Sequence, residues 1–442
     1  MKKKKVERGG EFSLKQLKGV KVPHRKNTTH DKPVRMPIPA KVRIPMAMHI
    51  GAPCKPVVAV GDEVTVGQII GEPQGFVGAP IHASVSGKVT AIDKVQLFNG
   101  SFPAVVIEAD GQQTICADIK PPQITDTKSF LDAVRASGLV GLGGAGFPTS
   151  VKLTLKEPGA AEYLVINGAE CEPYLTSDFT TMTEDTDYMI KGIEYVRKYV
   201  GVKHIVLGIE NNKPEAISLF QSKASSIGSD FSVKSLPAKY PQGAEKVLIY
   251  NCTGRVVPAG KLPLDVGCIV MNVTSLAFLG KYIETGMPLI EKCVTIDGSA
   301  CNKAGKVIAP IGTSIKDAID ALGGYKVQPK KILMGGPMMG MAVPTDENPI
   351  VKNTNGLLAF DEKDAILPEE TECINCGRCV ATCPLSLMPN RIARAYKRRD
   401  VDDLKSLDVT TCMECGCCAY VCPAKKDLVQ TNKLSKALVM GR

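Results

Sequence analysis

Hydrophobic and polar residues follow three different rhythms along this chain, and each predicts a different kind of element. From 36 to 120 the apolar residues come in short alternating runs rich in Val, Ile, Gly and Pro, which predicts short strands and tight turns. From 125 to 287 the rhythm changes. SFLDAVRAS (129–137) and DTDYMIKGIEYVRKYV (185–200) have the spacing of amphipathic helices. AEYLVIN (161–167), HIVLGIE (204–210) and GCIVMNV (267–273) are compact apolar runs and read as buried strands. This alternation predicts an α/β domain. Residues 288–350 read as strand, turn, strand, helix, strand, the order of a small β-grasp domain. From 365 to 442 the apolar rhythm gives way to cysteine motifs around a basic helical stretch, NRIARAYKRRDVDDLKSL (390–407).

Composition supports a folded, multidomain chain. Of 442 residues, 44% are hydrophobic and 23% charged, enough apolar material for a large core and too little charge bias for wholesale disorder. VGCIVMNVTSLAFLG (266–280) is an uncharged run of 15 residues with three polar side chains inside it, short of a membrane span. MKKKKVERGG has no apolar segment behind its lysines and does not read as a secretory signal. The net charge of +10 is lopsided: residues 1–35 carry twelve Lys and Arg against Glu7, Glu11 and Asp31. They are expected to form a flexible basic arm. The near-neutral remainder argues against nucleic acid as a partner.

Sixteen cysteines are present, nine of them within 373–422. CINCGRCVATCP (373–384) and CMECGCCAYVCP (412–423) both spell C-x2-C-x2-C-x3-C-P, the bacterial ferredoxin spacing for two [4Fe–4S] clusters. Three thiolates at i, i+3 and i+6 wrap one face of a cubane, and the fourth reaches the other cluster. Cluster I would use Cys373, Cys376, Cys379 and Cys422; cluster II would use Cys412, Cys415, Cys418 and Cys383. A zinc site explains two interlaced motifs poorly. Cys417 falls between ligands and is expected not to be one, and most of the seven remaining cysteines are expected to be buried as small hydrophobes.

GLGGAG (141–146) matches G-x-G-x-x-G by letters, yet a Rossmann fingerprint needs a strand before it and a full helix after it. Here a helical segment precedes it, and Pro148 interrupts the stretch on its other side. The longer sequence GLVGLGGAGFPTSVK is similar to the NADH/flavin loop of the flavin-carrying subunit of respiratory complex I. Gly138, Gly141, Gly143, Gly144, Ala145, Gly146, Phe147, Pro148 and Lys152 carry the match. Side-chain-free backbone lets N–H groups approach phosphate and an isoalloxazine ring. The resemblance extends to NGAECEP, which implies roles for Asn167, Glu170 and Glu172, with Ala169 where that family has an acid. It extends also to Tyr240, Gly243 and Glu245 in YPQGAEKVL, and to Asn272 and Ser275 in MNVTS.

GDEVTVGQIIG (61–71) and APIHASVSGKV (79–89) resemble the two halves of a lipoyl-type barrel-sandwich domain, but no lysine lies between Gly67 and Gly87 to carry a swinging arm. A rigid packing module is expected. The full order is basic arm (1–35), barrel-sandwich domain (36–120), non-Rossmann α/β FMN/NADH domain (125–287), β-grasp domain (288–350) and helical two-cluster ferredoxin module (365–442). That order resembles the C subunits of Rnf electron-transport complexes. The resemblance implies a peripheral subunit on the cytoplasmic side of the membrane, exchanging electrons between NAD(H) and two [4Fe–4S] clusters by way of FMN. Its implied partners are the other subunits of the complex and an iron–sulfur subunit or ferredoxin, with Na+ or H+ translocated by the whole. Rival readings are the flavin subunit of a soluble NAD-linked hydrogenase or formate dehydrogenase, and a non-catalytic iron–sulfur adaptor. No residue is assigned as an acid or base for the hydride step.

Overall fold

The computed structural model describes residues 18–97 and 100–441. They form two compact units: Val22–Pro368, and the described residues up to Lys21 together with those from Glu369 onward.

The first unit begins with two small antiparallel sheets. Strands Lys41–Pro45, Gly100–Ala109, Gly87–Leu97 and Glu63–Val64 make one, and Lys55–Pro56, Ile69–Glu72 and Ile81–His82 the other. Their inward residues, among them Ile44, Ile70, Ile81 and Ile107, are fully buried in a core continuous with that of the following domain. Residues 73–80, where a swinging-arm lysine would sit in a lipoyl domain, are tethered instead. Arg135 donates to the carbonyls of Gly75 (3.0 Å) and Phe76 (3.4 Å).

Next comes a four-stranded, all-parallel sheet ordered Phe231–Leu236, His204–Glu210, Tyr163–Gly168, Cys268–Asn272. The 15-residue apolar run is split across it: Cys268–Asn272 is a strand, and Asn272 caps the helix Val273–Thr285 through its side chain. That helix crosses Thr186–Val200 with backbones nearly touching. A Cβ on Gly192 would stand 2.1 Å from the Leu276 carbonyl oxygen, and one on Gly280 2.0 Å from that of Tyr188. Helix Thr127–Ala136 buries Phe130, Ala133 and Val134 and starts with a capping box, Asp126 with Ser129.

A third sheet runs Val34–Arg35, Gly305–Pro310, Glu291–Asp297, Gly356–Phe360, Lys331–Met334, Met341–Val343. Its central pair, Glu291–Asp297 with Gly356–Phe360, is parallel, and helix Ile315–Asp320 covers its core. This sheet extends past residue 350, and it recruits a strand from the segment expected to be a free arm.

That arm needs correcting. Residues 1–17 lie outside the described residues, but 26–35 are held in place. Val34–Arg35 pairs with Gly305–Pro310, and Thr28 and Thr176 share a hydroxyl hydrogen bond of 2.6 Å. Lys26 is sequestered beneath the 170–175 turn. A basic residue reads as solvated until its acceptors are seen, and here the acceptors are backbone carbonyls.

The second unit is built twice over. The cysteine motifs begin at Cys373 and Cys412, 39 residues apart, and left-handed backbone recurs at matching places: Asn375 and Glu414, Gly377 and Gly416, Ser386 and Lys425. Helices Pro389–Lys397 and Leu428–Met440 likewise begin 39 residues apart.

Candidate functional site

In an open parallel sheet, ligands bind beyond the carboxyl ends of the strands where the strand order reverses. Here the chain goes outward from Tyr163–Gly168 through His204–Glu210 to Phe231–Leu236. It then returns to add Cys268–Asn272 on the other side. The reversal falls between strands ending at Gly168 and Asn272, with Asn167 and Asn272 side by side in register.

The glycine loop lies against this point. A Cβ on Gly143 would come within 2.6 Å of Asn272 Nδ2, whereas one on Gly144 would meet nothing within 4 Å. The loop is therefore tight against the protein on one side and open on the other. Outside donors take its carbonyls: Lys352 Nζ at Gly138 (2.7 Å), Asn353 Nδ2 at Gly144 (2.8 Å) and the Ile50 N–H at Gly146 (3.1 Å). Ser275 Oγ accepts from the Leu142 N–H at 3.1 Å. Residues 142–145 form a turn closed within the loop, and among the described residues no acceptor outside the loop meets the N–H groups of Gly143 to Phe147. Carbonyls at 144 and 146 taken from outside, beside N–H groups with no outside acceptor, suit an anion or the polar edge of a flavin. No strand precedes the loop, which runs from helix Thr127–Ala136 to the short helix Thr149–Leu153.

The acidic segment is placed differently from what its residue types alone suggest. Glu170 Oε1 accepts from the Asp178 N–H (2.7 Å) and Oε2 from that of Phe179 (3.3 Å). It thereby caps helix Ser177–Glu184 from outside, Thr176 making no side-chain cap of its own. Asp178 in turn accepts from Asn272 Nδ2 and from Thr274 Oγ1, both at 2.8 Å. The chain of contacts Glu170–Asp178–Asn272 thus ends at Gly143. Glu172 accepts from the N–H groups of Met338 (3.0 Å) and Met339 (2.8 Å) in the GGPMMG turn of the third sheet. Burial pushes its carboxyl up to about 7. Burial also raises the Glu170 carboxyl, with the Lys26 ammonium pulling against it.

Two lysines pin the same turn. Lys26 Nζ donates to the carbonyls of Glu170 (2.7 Å), Glu172 (2.8 Å) and Leu175, and Lys213 Nζ to that of Ala169 (2.6 Å). The turn needs such support, because Glu170 and Tyr174 both hold left-handed backbone, at φ +46° and +69°.

The remaining candidates gather nearby. Asn167 Nδ2 donates to the Gly243 carbonyl (3.0 Å), and the Gly243 N–H donates to Cys171 Sγ (3.3 Å). Tyr240 is buried. Lys152 Nζ donates to the Val270 carbonyl (2.9 Å) and lies 3.8 Å from Glu245, the first residue of helix Glu245–Thr253.

In the second unit, Cys383 joins Cys412, Cys415 and Cys418 around one cavity, which Cys417 also lines. Cys379 and Cys422 belong to a neighbouring cluster of side chains that also includes Cys418, and Cys373 and Cys376 are exposed. The four of these five cysteines that have the ferredoxin spacing suit an iron–sulfur cluster. No three of the described His, Cys, Asp or Glu side chains converge as a single metal ion would need.

Comparison with known proteins adds independent support. The model of the RnfC barrel sandwich hybrid domain matches residues 14–112, that of the Nuo51 FMN-binding domain 134–280, and that of the 4Fe-4S dicluster domain 365–423. Whole-chain relatives are C subunits of ion-translocating oxidoreductase complexes. That of the Na(+)-translocating ferredoxin:NAD(+) oxidoreductase complex of Acetobacterium woodii is 42% identical over 96% of this chain and 97% of its own length. The chain belongs to this RnfC family. The counterpart in the proton-translocating complex of Clostridium ljungdahlii is 43% identical over 85% of this chain and 83% of its own. That of the ion-translocating complex of Rhodobacter capsulatus is 36% identical over 95% and 82%. Membership also fixes the fold class in outline: a barrel-sandwich domain, a complex I-type FMN-binding domain and a dicluster domain.

Sequence reasoning missed Lys26, Asp178, Lys213, Lys352 and Asn353. One signal was present for them: Lys352 is the single charged residue in NPIVKNTNGLLAF (348–360).

Proposed function

We propose that this chain is the peripheral electron-transfer subunit of an ion-translocating ferredoxin:NAD(+) oxidoreductase complex, working on the cytoplasmic side of the membrane. The observation that carries the reading is the glycine loop at the strand-order reversal, held from outside at the carbonyls of Gly138, Gly144 and Gly146 and with no outside acceptor on its N–H groups of 143–147. FMN would lie along that loop, with Gly141, Gly143, Gly144, Ala145 and Gly146 offering backbone and Phe147 an aromatic face. Asn272 and Ser275 hold the loop from behind. Asn167, Glu170, Glu172, Tyr240 and Gly243 would complete the site around that point, mainly by fixing backbone. Lys152 and Glu245 form a charged pair at its edge. The third sheet, with its hairpin, helix and parallel central pair, is read as a β-grasp domain.

Bound FMN takes a hydride as two electrons and releases them singly, while a [4Fe–4S] cluster carries one at a time. The protein's own work is to orient the nicotinamide and flavin and to supply eight thiolates. Cys373, Cys376, Cys379 and Cys422 would hold one cluster. Cys412, Cys415, Cys418 and Cys383, which share a cavity, would hold the other. NADH would enter at the flavin, and ferredoxin or another iron–sulfur subunit would meet the clusters. No described helix is long and apolar enough to cross a membrane, and attachment would be through the other subunits.

The test is spectroscopic. The full chain, prepared anaerobically with its iron retained, should show flavin and cluster absorption that bleaches when NADH is added. A preparation that takes up no flavin and is unchanged by NADH rejects electron entry here and leaves an iron–sulfur adaptor.

A further inference from the structure

Lys352 and Asn353 lie outside the FMN-binding match at 134–280, on the approach to the central strand Gly356–Phe360 of the third sheet. We propose that this pair positions the cofactor loop, gripping it by the carbonyls of Gly138 and Gly144 so that its N–H groups face the ligand; this rests on the flavin reading above.

Lys352 is fully buried. Its ammonium donates at 2.7 Å to Gly138 of the glycine loop and at 2.7 Å to Pro80 of the barrel-sandwich domain. One cation thus ties three domains at a point where two carbonyls have no water to turn to. Burial lowers its pKa to about 7, a cost a purely apolar junction would avoid. Asn353 reaches the far end of the loop, 2.8 Å from the Gly144 carbonyl. Gly146 is close as well: a Cβ there would stand 3.7 Å from Asn353 Nδ2.

The grip is itself rigid. Val351 and Thr354 close a turn around the pair, the Val351 N–H reaching Thr354 Oγ1 (3.1 Å) and the Thr354 N–H the Val351 carbonyl (3.0 Å). Ile350 just before it exchanges hydrogen bonds of 2.8 Å with Gly312 and Thr313. A carbonyl held from behind cannot rotate toward the ligand side, so the adjoining N–H groups stay aimed there. The third domain is then a working part of the flavin site and cannot separate from it without loosening the loop.

The experiment uses full-length protein with its iron retained, emptied of flavin and titrated with FMN while flavin fluorescence is followed. Asn353→Ala should weaken FMN about five- to tenfold, the loss of one hydrogen bond, with iron content unchanged. Asn353→Asp, which sets a carboxylate against the Gly144 carbonyl, should weaken it further. Lys352→Met should also weaken FMN and lower the melting temperature; if it fails to fold, the half-exposed Asn353 pair still decides the matter. Wild-type FMN affinity in both Asn353 variants overturns the proposal, as does a lower melting temperature with affinity unchanged. A wild-type chain that takes up no FMN rejects the flavin reading itself, and this inference with it.

Discussion

Around the glycine loop, groups from three segments of the chain hold the backbone at 138, 142, 144 and 146. Around the cysteines the balance is reversed. The second unit has small apolar clusters in which cysteines themselves are core members: Cys383 among Leu387, Ile392 and Leu404, and Cys379 and Cys418 with Leu428. Six of its described non-glycine residues, Asn375, Ser386, Arg399, Asp408, Glu414 and Lys425, hold left-handed backbone, at about 1–2 kcal/mol each. A module of this size with so little core is expected to depend on its metal for stability. On the proposed reading, the flavin loop is framed by the protein's own groups, while the cluster sites are framed by the groups they bind.

The largest effect should come from removing a cluster ligand. Cys415→Ser should lose the iron of one cluster and open the chain beyond Glu369 to protease, while the Val22–Pro368 unit stays resistant and still binds FMN. Iron analysis with limited proteolysis measures both. Protease resistance equal to wild type after iron loss would show that the module stands without its metal, and the contrast would collapse.

Next in size is Gly144→Trp. Because nothing lies within 4 Å of a Cβ there and the position is not in the left-handed region, the indole should be accommodated in the open cradle. FMN binding should fall by two orders of magnitude or more, with melting temperature and iron content kept. Gly143→Ala should do the opposite, destabilising the domain because its methyl meets Asn272. If Gly144→Trp leaves FMN affinity intact, the open side of the loop is not where the flavin lies.

The same contrast explains what could be read in the sequence. The cysteine motifs were legible because cluster ligation is written in side chains at fixed spacing. The glycine loop and the strands Tyr163–Gly168, His204–Glu210 and Cys268–Asn272 were legible from small residues and compact apolar runs. Strand Phe231–Leu236 was not, because it lies at the sheet edge and alternates with Ser and Lys. Helix Ser177–Glu184 is rich in Thr and Ser and is buried through hydrogen bonds, so no apolar stripe announces it. Lys26 and Lys352 escaped for a deeper reason. Their partners are carbonyl oxygens, which every residue has and no sequence pattern marks. Glu170 and Glu172 were found as residues, but letters do not say which way a carboxylate turns, and both turn to backbone N–H groups within the protein.

A smaller effect should come from loosening a single support. Ser275 is buried, and its Oγ is the acceptor for the Leu142 N–H. Ser275→Ala leaves that donor unpaired inside the protein, at about 1–3 kcal/mol. Chemical denaturation should report this loss, together with FMN binding weakened several-fold, because the loop is displaced only slightly. Stability lost without any change in FMN affinity would mean that Leu142 sits outside the part of the loop the ligand senses.

The subtlest expectation concerns pH and the pin between the acidic turn and Met338–Met339. The Glu172 carboxyl, ordinarily at 4.5, is raised to about 7 by burial. Between those values the folded chain keeps a proton that the unfolded chain has released, so stability falls as pH rises through the window and levels off above it. One such group contributes a slope of at most about 1.4 kcal/mol per pH unit. Glu170 is shifted in the same direction, so replacing Glu172 removes only part of the trend. Glu172→Gln should therefore be less stable overall, its amide facing two N–H donors, yet show a flatter decline between pH 5 and 7. Urea unfolding of the Val22–Pro368 unit, followed by circular dichroism across that range, measures both. Equal slopes in wild type and variant would mean that Glu172 ionises alike in both states. Its two hydrogen bonds would then be those of a carboxylate at neutral pH, and the cradle would gain a charged anchor in place of a titrating one.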